Sequence, residues 1–299
     1  MSLPAGWASR LRLPLIAAPM TAVSGPALAR AACRAGVIGS FPSHNARDLD
    51  TLDEWLSGLR ATQMQAGAPL AVNLVVHASN RRLEADLACV LAHGVELIIT
   101  SVGNPASVIQ QAHAKGCRVF ADVASLRHVD KALAAGVDGL VLLTAGAGGQ
   151  TGWLNPFAFV RAVRQRYDGP VVLAGGIADG ASLRAAEVLG ADLAYMGTKF
   201  IATTESLATP QYKQALVDSN ADDIELTLKA SGLPANVIRR AGSGLAGDGP
   251  AARAFDQDRL LATRDMWSAG HSVVGVHEVL DVSQLVEKTI VEYEDARQG

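Results

Sequence analysis

The sequence predicts an α/β fold, a (β/α)8 TIM barrel with an added lid built from the C-terminal third of the chain. Three observations lead to this fold. Short aliphatic runs bounded by glycine or proline alternate with longer stretches of helical periodicity, as in a parallel sheet covered by helices. Eight such runs recur at spacings of roughly 20 to 30 residues, which favours a closed barrel over a doubly wound sheet, the alternative. The alternation stops near residue 205.

Each predicted strand is a β-branched or aliphatic run too short for a helix and bounded by turn-forming residues. The eight strands are 13–18, 36–41, 69–75, 95–101, 117–123, 138–144, 170–176 and 192–197. The helices between them, rich in Ala, Leu, Arg and Glu, include 25–35, 82–94, 105–116, 126–136, 156–167 and 180–190.

The remainder of the chain predicts a separate lid. We expect a barrel over 1–204, a lid with polar helical segments over 205–265, and a segment over 266–299 that returns to the barrel and ends in an amphipathic helix. A glycine-rich stretch at 241–250 lies within the lid.

The composition limits the classes of partner. The chain has 49% hydrophobic and 18% charged residues, a net charge of −3 and no basic stripe, which disfavours nucleic acid. No apolar run approaches the roughly 18 residues that would span a bilayer. The three cysteines form no CxxC pair and lie in apolar contexts, so we expect buried thiols in a cytoplasmic protein. The seven histidines lack metal-binding spacings, so no metal site is predicted.

Glycines after the last two strands point to a phosphate site. The active site of this fold lies at the C-terminal ends of the strands. Gly175 and Gly176 end the seventh strand, and Gly197 ends the eighth and is followed by Thr198, in each case shortly before a helix. Bare backbone lets N–H groups approach phosphate oxygens, and the helix dipole favours negative charge. Both motifs together therefore predict a phosphate cradle, although either alone could serve only a tight turn.

Other strand ends supply further candidate site residues, and most of these have a structural explanation as well as a functional one. The stretch AGAGGQTG after the sixth strand would give a flat aromatic cofactor a wall without side chains, and a flexible connector is the alternative. Asn73, a polar residue in an apolar strand, needs hydrogen-bond partners, which a cofactor or a neighbouring strand could equally supply. Asp122 is the only acid found at a strand end. A sugar-phosphate lyase or isomerase would need paired carboxylates or a lysine there, and Lys199 is the nearest lysine.

Taken together, these motifs resemble the flavin-dependent nitronate monooxygenases, also called 2-nitropropane dioxygenases. Their superfamily includes FMN barrels that act as NAD(P)H:quinone or enoyl reductases. The resemblance covers most of the chain and is carried by AAPM (17–20), VNL (72–74), AGAGGQTG (145–152), LAGGIADG (173–180), ADLAYMGTKFIAT (191–203) and MWSAG (266–270). It is specific for the superfamily and much less specific for the reaction.

The resemblance implies FMN as the cofactor. It implies that the cradle holds the FMN phosphate, that Met20 and Asn73 lie near the isoalloxazine ring, and that the WSAG segment folds back over the cofactor. The cofactor-binding residues predicted in this way are Ala18, Pro19, Met20, Asn73, Asp122, Ala147, Gly148, Gly149, Gly175, Gly176, Gly197 and Thr198.

Position 150 departs from the family. The family loop reads AGGH, with the histidine as proposed base or proton donor, and this chain has Gln150 there. Glutamine cannot carry away a proton near neutral pH, but it can orient a substrate oxygen. Three interpretations stay open: an anionic nitronate that needs no base, a base moved to His44, His77 or His271, or a different flavin reaction. Gln150, His44 and His77 are the predicted catalytic residues.

The leading hypothesis is an FMN-dependent monooxygenase that oxidises alkyl nitronates with O2. The alternatives are an NAD(P)H-dependent quinone or enoyl reductase, a flavin oxidoreductase of specialised metabolism, and a catalytically silent flavin-binding protein. The expected partners are a small electron-poor substrate and O2, with no nucleic acid or membrane. Whether the enzyme uses NAD(P)H and whether it assembles as a homodimer are left open.

Overall fold

The strands of the computed structural model form two sheets within the residues that it describes, 3–63, 67–239, 254–263 and 266–298. They are β1 Leu15–Ala17, β2 Gly39–Pro42, β3 Leu70–Val75, β4 Leu97–Ser101, β5 Arg118–Val123, β6 Gly139–Leu143, β7 Gly149–Gln150, β8 Val171–Ala174, β9 Leu193–Met196, β10 Ile224–Thr227 and β11 Ala235–Ile238. Eight parallel strands lie in the order β1-β9-β8-β6-β5-β4-β3-β2. Hydrogen bonds from Ala17 N to Ile38 O (2.9 Å) and from Ile38 N to Leu15 O (3.0 Å) close this sheet into a barrel.

Helices surround the barrel, and several begin where the sequence provides a cap. They are α1 Pro26–Ala35, α2 Leu49–Gln63, α3 Leu83–Ala92, α4 Ala106–Ala114, α5 Leu126–Ala135, α6 Pro156–Arg164, α7 Gly180–Leu189, α8 Thr198–Ile201, α9 Pro210–Val217, α10 Gln257–Ala262 and α11 Val282–Gln298. The side chains of Ser125, Asn155 and Asp179 accept backbone hydrogen bonds at the starts of α5, α6 and α7.

The final helix completes the outer ring of the barrel. The helix that directly follows β9, α8, has only four residues, and α11 packs against both α7 and α1. The approach to α7 is so close that a Cβ on Gly180 would lie 2.0 Å from Tyr293 N. Helix α11 therefore occupies the place of the eighth barrel helix.

The barrel interior changes character along its axis. Its lower part is filled by apolar side chains, among them Phe120, which packs against Trp7 with ring centroids 6.1 Å apart. Successive residues of a strand point to opposite faces, so residues two apart share a face. Above Phe120 on β5 lies Asp122, and above Leu193 on β9 lies Tyr195. The upper interior is thus lined by polar groups.

The structure confirms the predicted (β/α)8 barrel, and each predicted strand overlaps one of its eight strands. The prediction of polar helical segments was wrong for β10 and β11, which pair antiparallel. These strands form because β11 also pairs with β7 in the loop after β6, a partner remote in sequence. The stretch 241–250 lies outside the described residues, and the limits of the lid stay a prediction. Among the helices described, none is long and apolar enough to cross a membrane.

Candidate active site

A cavity of about 720 Å³ lies at the C-terminal ends of the barrel strands, within the size range of small-molecule sites. Its floor contains Asn73, Ser101, Asp122 and Tyr195, from four different strands. Its walls come from the loops after the strands, and its roof includes side chains of the C-terminal third, among them Tyr212 and Trp267. These two rings stack with centroids 5.1 Å apart.

The cavity brings together nearly all of the residues that the sequence singled out. The predicted residues that line it are Ala18, Pro19, Met20, His44, Asn73, Asp122, Ala147, Gly148, Gly149, Gln150, Gly175, Gly176, Gly197 and Thr198. Of the histidines considered as a displaced base, His44 lines the cavity, and His77 and His271 do not. Lys199 does not line it either.

His77 lies behind the cavity wall. Its Nδ1 is 2.8 Å from Ser79 Oγ, and its ring packs edge-on against Phe255, which does line the cavity. Ser79 Oγ also accepts a hydrogen bond from Gln257 N at the start of α10. The structure thus places His77 under the lid, where it supports Phe255, and its catalytic role stays a prediction.

His44 lies on the cavity wall beside the loop after β1. The residue is 7% exposed, and its Nε2 is 2.9 Å from Thr21 Oγ1. The neighbouring Asn45 accepts a hydrogen bond from Ala22 N and donates one to Met20 O. The loop that carries Met20 is therefore fixed from the β2 side, and His44 faces the cavity next to it.

Asn73 already has partners within the protein. Its Nδ2 donates to Ile99 O and to Ser101 Oγ, each at 3.1 Å. A neighbouring strand therefore satisfies the donor side of this amide, as one of the two alternatives expected. Its role toward a cofactor stays a prediction, and its position on the floor of the cavity is compatible with that role.

The cradle residues have a backbone that favours glycine. Gly175 and Gly176 have φ angles of +124° and +77°, and a Cβ on Gly175 would lie 2.5 Å from Thr144 Oγ1. The start of α7 is capped within the protein, since Ser182 N donates to the Asp179 carboxylate at 2.7 Å. The loop at 175–176, rather than the end of this helix, is the part that faces the cavity.

The glycine-rich loop after β6 touches the segment near residue 270 backbone to backbone. His271 N donates to Gly146 O at 2.9 Å, and Gly270 N donates to Thr198 Oγ1 at 3.0 Å. A Cβ on Gly148 would lie 2.6 Å from Gly270 N. The sequence needs glycine here because two chain segments meet with no space between them for a side chain.

The same loop fixes Gln150 through the small antiparallel sheet. Gln150 pairs with Ala235 across β7 and β11, and Asn236 Nδ2 donates to Ala147 O at 2.7 Å. The backbone of Gln150 is therefore held by β11. Its half-buried side chain lines the cavity, and its catalytic role stays a prediction.

Two polar groups at the cavity floor have perturbed acidity, the partly exposed Asp122 and the buried Tyr195. Burial raises the pKa of Asp122 to about 7. Burial, and then the charge of Asp122, raise the pKa of Tyr195 well above its ordinary value. The side chains of Asp122 and Tyr195 can therefore both remain protonated around neutral pH.

One group of potential metal ligands lies apart from the cavity. Asp53 on α2 approaches Cys89 and His93 at the end of α3, and His93 Nε2 is 2.7 Å from Asp53 Oδ1. Burial and the nearby carboxylates raise the pKa of the Cys89 thiol to about 11, which disfavours the thiolate that binds metals. None of the three residues lines the cavity.

Some residues of the cavity were not singled out from the sequence. Tyr195 could have been found, because it lies two positions after Leu193 in a predicted barrel strand and so shares its inward face. Tyr212 and Trp267 come from the lid and the returning segment, and no local pattern places them over a barrel.

Comparisons with known proteins agree with the architecture of the site. The nitronate monooxygenase family model matches residues 79–246. A nitronate monooxygenase from Paraburkholderia phytofirmans is 31% identical over 277 residues, which span 79% of this chain and 76% of that protein. A nitroalkane oxidase from Streptomyces ansochromogenes superposes with a TM-score of 0.86 at 26% identity, covering 97% of this chain and 98% of that chain. FabK from Thermotoga maritima superposes with a TM-score of 0.83 at 27% identity, covering 96% and 94%.

The closed barrel, its cavity and these relatives define an enzyme of the flavin-dependent TIM-barrel oxidoreductases. The family match covers more than half of the chain. The chain belongs to the nitronate monooxygenase family.

Proposed function

We propose that the protein is an FMN-dependent monooxygenase that oxidises preformed alkyl nitronates with O2. The observation that carries this proposal is Gln150 on the wall of a cavity that also contains the whole predicted cofactor-binding set. Membership of the nitronate monooxygenase family supports the reaction class. A glutamine at the position where the resemblance implies a histidine favours the anionic form of the substrate.

The residues present fit FMN. The loop at Gly175 and Gly176 offers backbone with positive φ and no side chains, and a Cβ on Gly175 would collide with Thr144. Gly197 and Thr198 would share the phosphate with this loop, and Gly148 and Gly149 would leave room for a flat ring. When bound, FMN supplies the redox chemistry, accepting electrons from the substrate and passing them to O2.

The substrate preference follows from what Gln150 can do. A nitroalkane must lose a carbon-bound proton before oxidation, and a positioned base contributes roughly 10²- to 10⁴-fold to such a step. Gln150 provides an amide that donates hydrogen bonds but accepts no proton near neutral pH. A nitronate arrives without that proton, so hydrogen bonding to a nitro oxygen is sufficient.

The test is anaerobic mixing of the purified, FMN-loaded protein with propyl-2-nitronate, neutral 2-nitropropane, NADH or NADPH. We expect the flavin absorbance to bleach rapidly with the nitronate only. The matched variant Gln150→His restores a base, so it should gain reduction by 2-nitropropane of about 100-fold or more over the wild type. Bleaching by a pyridine nucleotide alone would instead identify a reductase, and a protein that binds no FMN would exclude both functions.

We also propose that the enzyme works in the cytoplasm. Cys33, Cys89 and Cys117 form no disulfide among the described residues, which suits a reducing compartment. Fractionation of the source cells, followed by detection of the protein, tests this location.

A further inference from the structure

Asp122 is a carboxyl group turned into the cavity from the inside of the barrel. It lies two residues after Phe120 on β5, on the face that points to the barrel axis, and it lines the cavity floor. Its Oδ1 is inaccessible to solvent and has no hydrogen-bond partner among the described residues. A buried polar atom without a partner is costly, so this oxygen disfavours the ionised carboxylate. The residue as a whole is only partly buried and lines the cavity, so the carboxyl group can still meet an occupant there.

The surroundings of Asp122 contain no compensating cation. In the described part of the chain, no lysine, arginine or glutamate lines the cavity, and its titratable side chains are His44, Asp122, Tyr195 and Tyr212. The flanking strands β4 and β6 contribute the neutral side chains of Ser101 and Leu143.

Across the barrel, Tyr195 faces Asp122 from β9. Its hydroxyl is also buried without a hydrogen-bond partner among the described residues. The negative charge of Asp122 raises the pKa of Tyr195, which indicates that the two groups sense each other. Tyr195 therefore stays neutral and cannot balance an ionised Asp122. This explains why burial brings the pKa of Asp122 to about 7, so that the carboxyl exchanges its proton near neutral pH.

We propose that Asp122 is the proton-holding group of this site, and that it takes up one proton from solvent when FMN binds. The inference rests on the proposed function, because FMN is its ligand. The FMN phosphate brings negative charge into a cavity that already contains an acid and no cation among its described lining residues. Repulsion in this poorly solvated space favours the neutral carboxyl. The neutral acid then has an O–H that it can donate to an acceptor on the bound molecule.

The sign of the pH dependence follows from linkage. Below pH 7 most Asp122 is already protonated in the free protein, so binding requires little proton uptake. Above pH 7 the free protein is ionised at Asp122, and binding must recruit a proton. The Kd for FMN should then rise with pH, with a limiting slope of about tenfold per pH unit. His44 is the one histidine among the described lining residues, and histidine side chains can exchange a proton near neutral pH, so it requires a control.

Calorimetric titration of the apoprotein with FMN at pH 6 and pH 8, in buffers of different ionisation enthalpy, measures the protons taken up. We expect uptake approaching one proton at pH 8 and much less at pH 6. Asp122→Asn, which keeps the shape and cannot titrate, should abolish the uptake at pH 8. Asp122→Thr should do the same and serves as a second variant if the first does not fold. His44→Gln should retain the uptake.

The outcomes separate this inference from the proposed function. The inference fails, and the proposed function stands, if the wild-type protein binds FMN without proton uptake at pH 8. It fails in the same way if an Asp122 variant keeps the uptake. Loss of the uptake in His44→Gln together with its persistence in Asp122→Asn would assign the proton to His44 and overturn it as well. Failure of the wild-type protein to bind FMN at either pH would overturn the proposed function and the inference with it.

Discussion

The lower and upper halves of the barrel interior are made by the same strands and serve different purposes. On β5, Phe120 is fully buried against Trp7, whereas Asp122, one step higher on the same face, lines the cavity. On β9, Leu193 and Tyr195 repeat this contrast. Two residues further along each strand, a distance of about 6.6 Å, the inward-facing side chain lines the cavity instead of packing in the core. Stability and function are therefore divided along the barrel axis.

The largest expected effect is the loss of packing at the lower end. Phe120→Ala should lower the free energy of unfolding by about 3–5 kcal/mol, because it removes a fully buried ring from the barrel interior. Urea denaturation followed by circular dichroism measures this change. Phe157→Ala is the control, since that ring is 62% exposed and its removal should cost far less. Equal losses in the two variants would contradict the division along the axis.

A substitution at Asp122, two residues further along β5, is expected to stabilise the protein rather than destabilise it. The pKa of Asp122 is raised from 3.8 to about 7 in the folded protein. Ionisation of this carboxyl group is therefore less favourable in the folded state than in the unfolded state. Its presence therefore costs stability progressively as the pH rises from about 4 to 7, and the cost persists above 7. Asp122→Asn should raise the free energy of unfolding by up to about 4 kcal/mol at pH 8 relative to its effect at pH 4.

Urea denaturation of both proteins across this pH range provides the measurement. A difference between Asp122→Asn and wild type that does not change with pH would show that the carboxyl is not perturbed by its burial.

A smaller effect is expected at the rim, where the glycine-rich loop meets the returning segment. A Cβ on Gly148 would lie 2.6 Å from Gly270 N, so Gly148→Ala should displace the two segments and weaken FMN binding by about tenfold. Gly149→Ala is the matched control, because its Cβ would meet Ser268 only at 3.7 Å, although its φ of +62° adds some strain. Fluorescence titration with FMN compares them, and equal weakening in both variants would locate the cause in backbone strain instead.

Sequence patterns predicted the barrel because each of its strands carries a local signal. The run 138–144, for example, is aliphatic throughout, ends at a glycine-rich turn and forms β6 at Gly139–Leu143. No such signal marks β11, whose pairing with Gly149–Gln150 joins segments more than eighty residues apart. The phosphate cradle was predictable from glycines at strand ends, whereas Tyr212 and Trp267 enter the cavity through tertiary packing alone.

The position of α11 has a consequence for how the molecule is made. Helix α11 lies between α1 and α7, and Arg12 Nη2 donates to Glu287 Oε2 at 2.9 Å, so an early segment of the chain is sealed by a late one. During translation the apolar seam between α1 and α7 has no cover until these seventeen residues leave the ribosome. Closure of the helical ring therefore waits until α11, which follows the other barrel elements in the chain, has been synthesised.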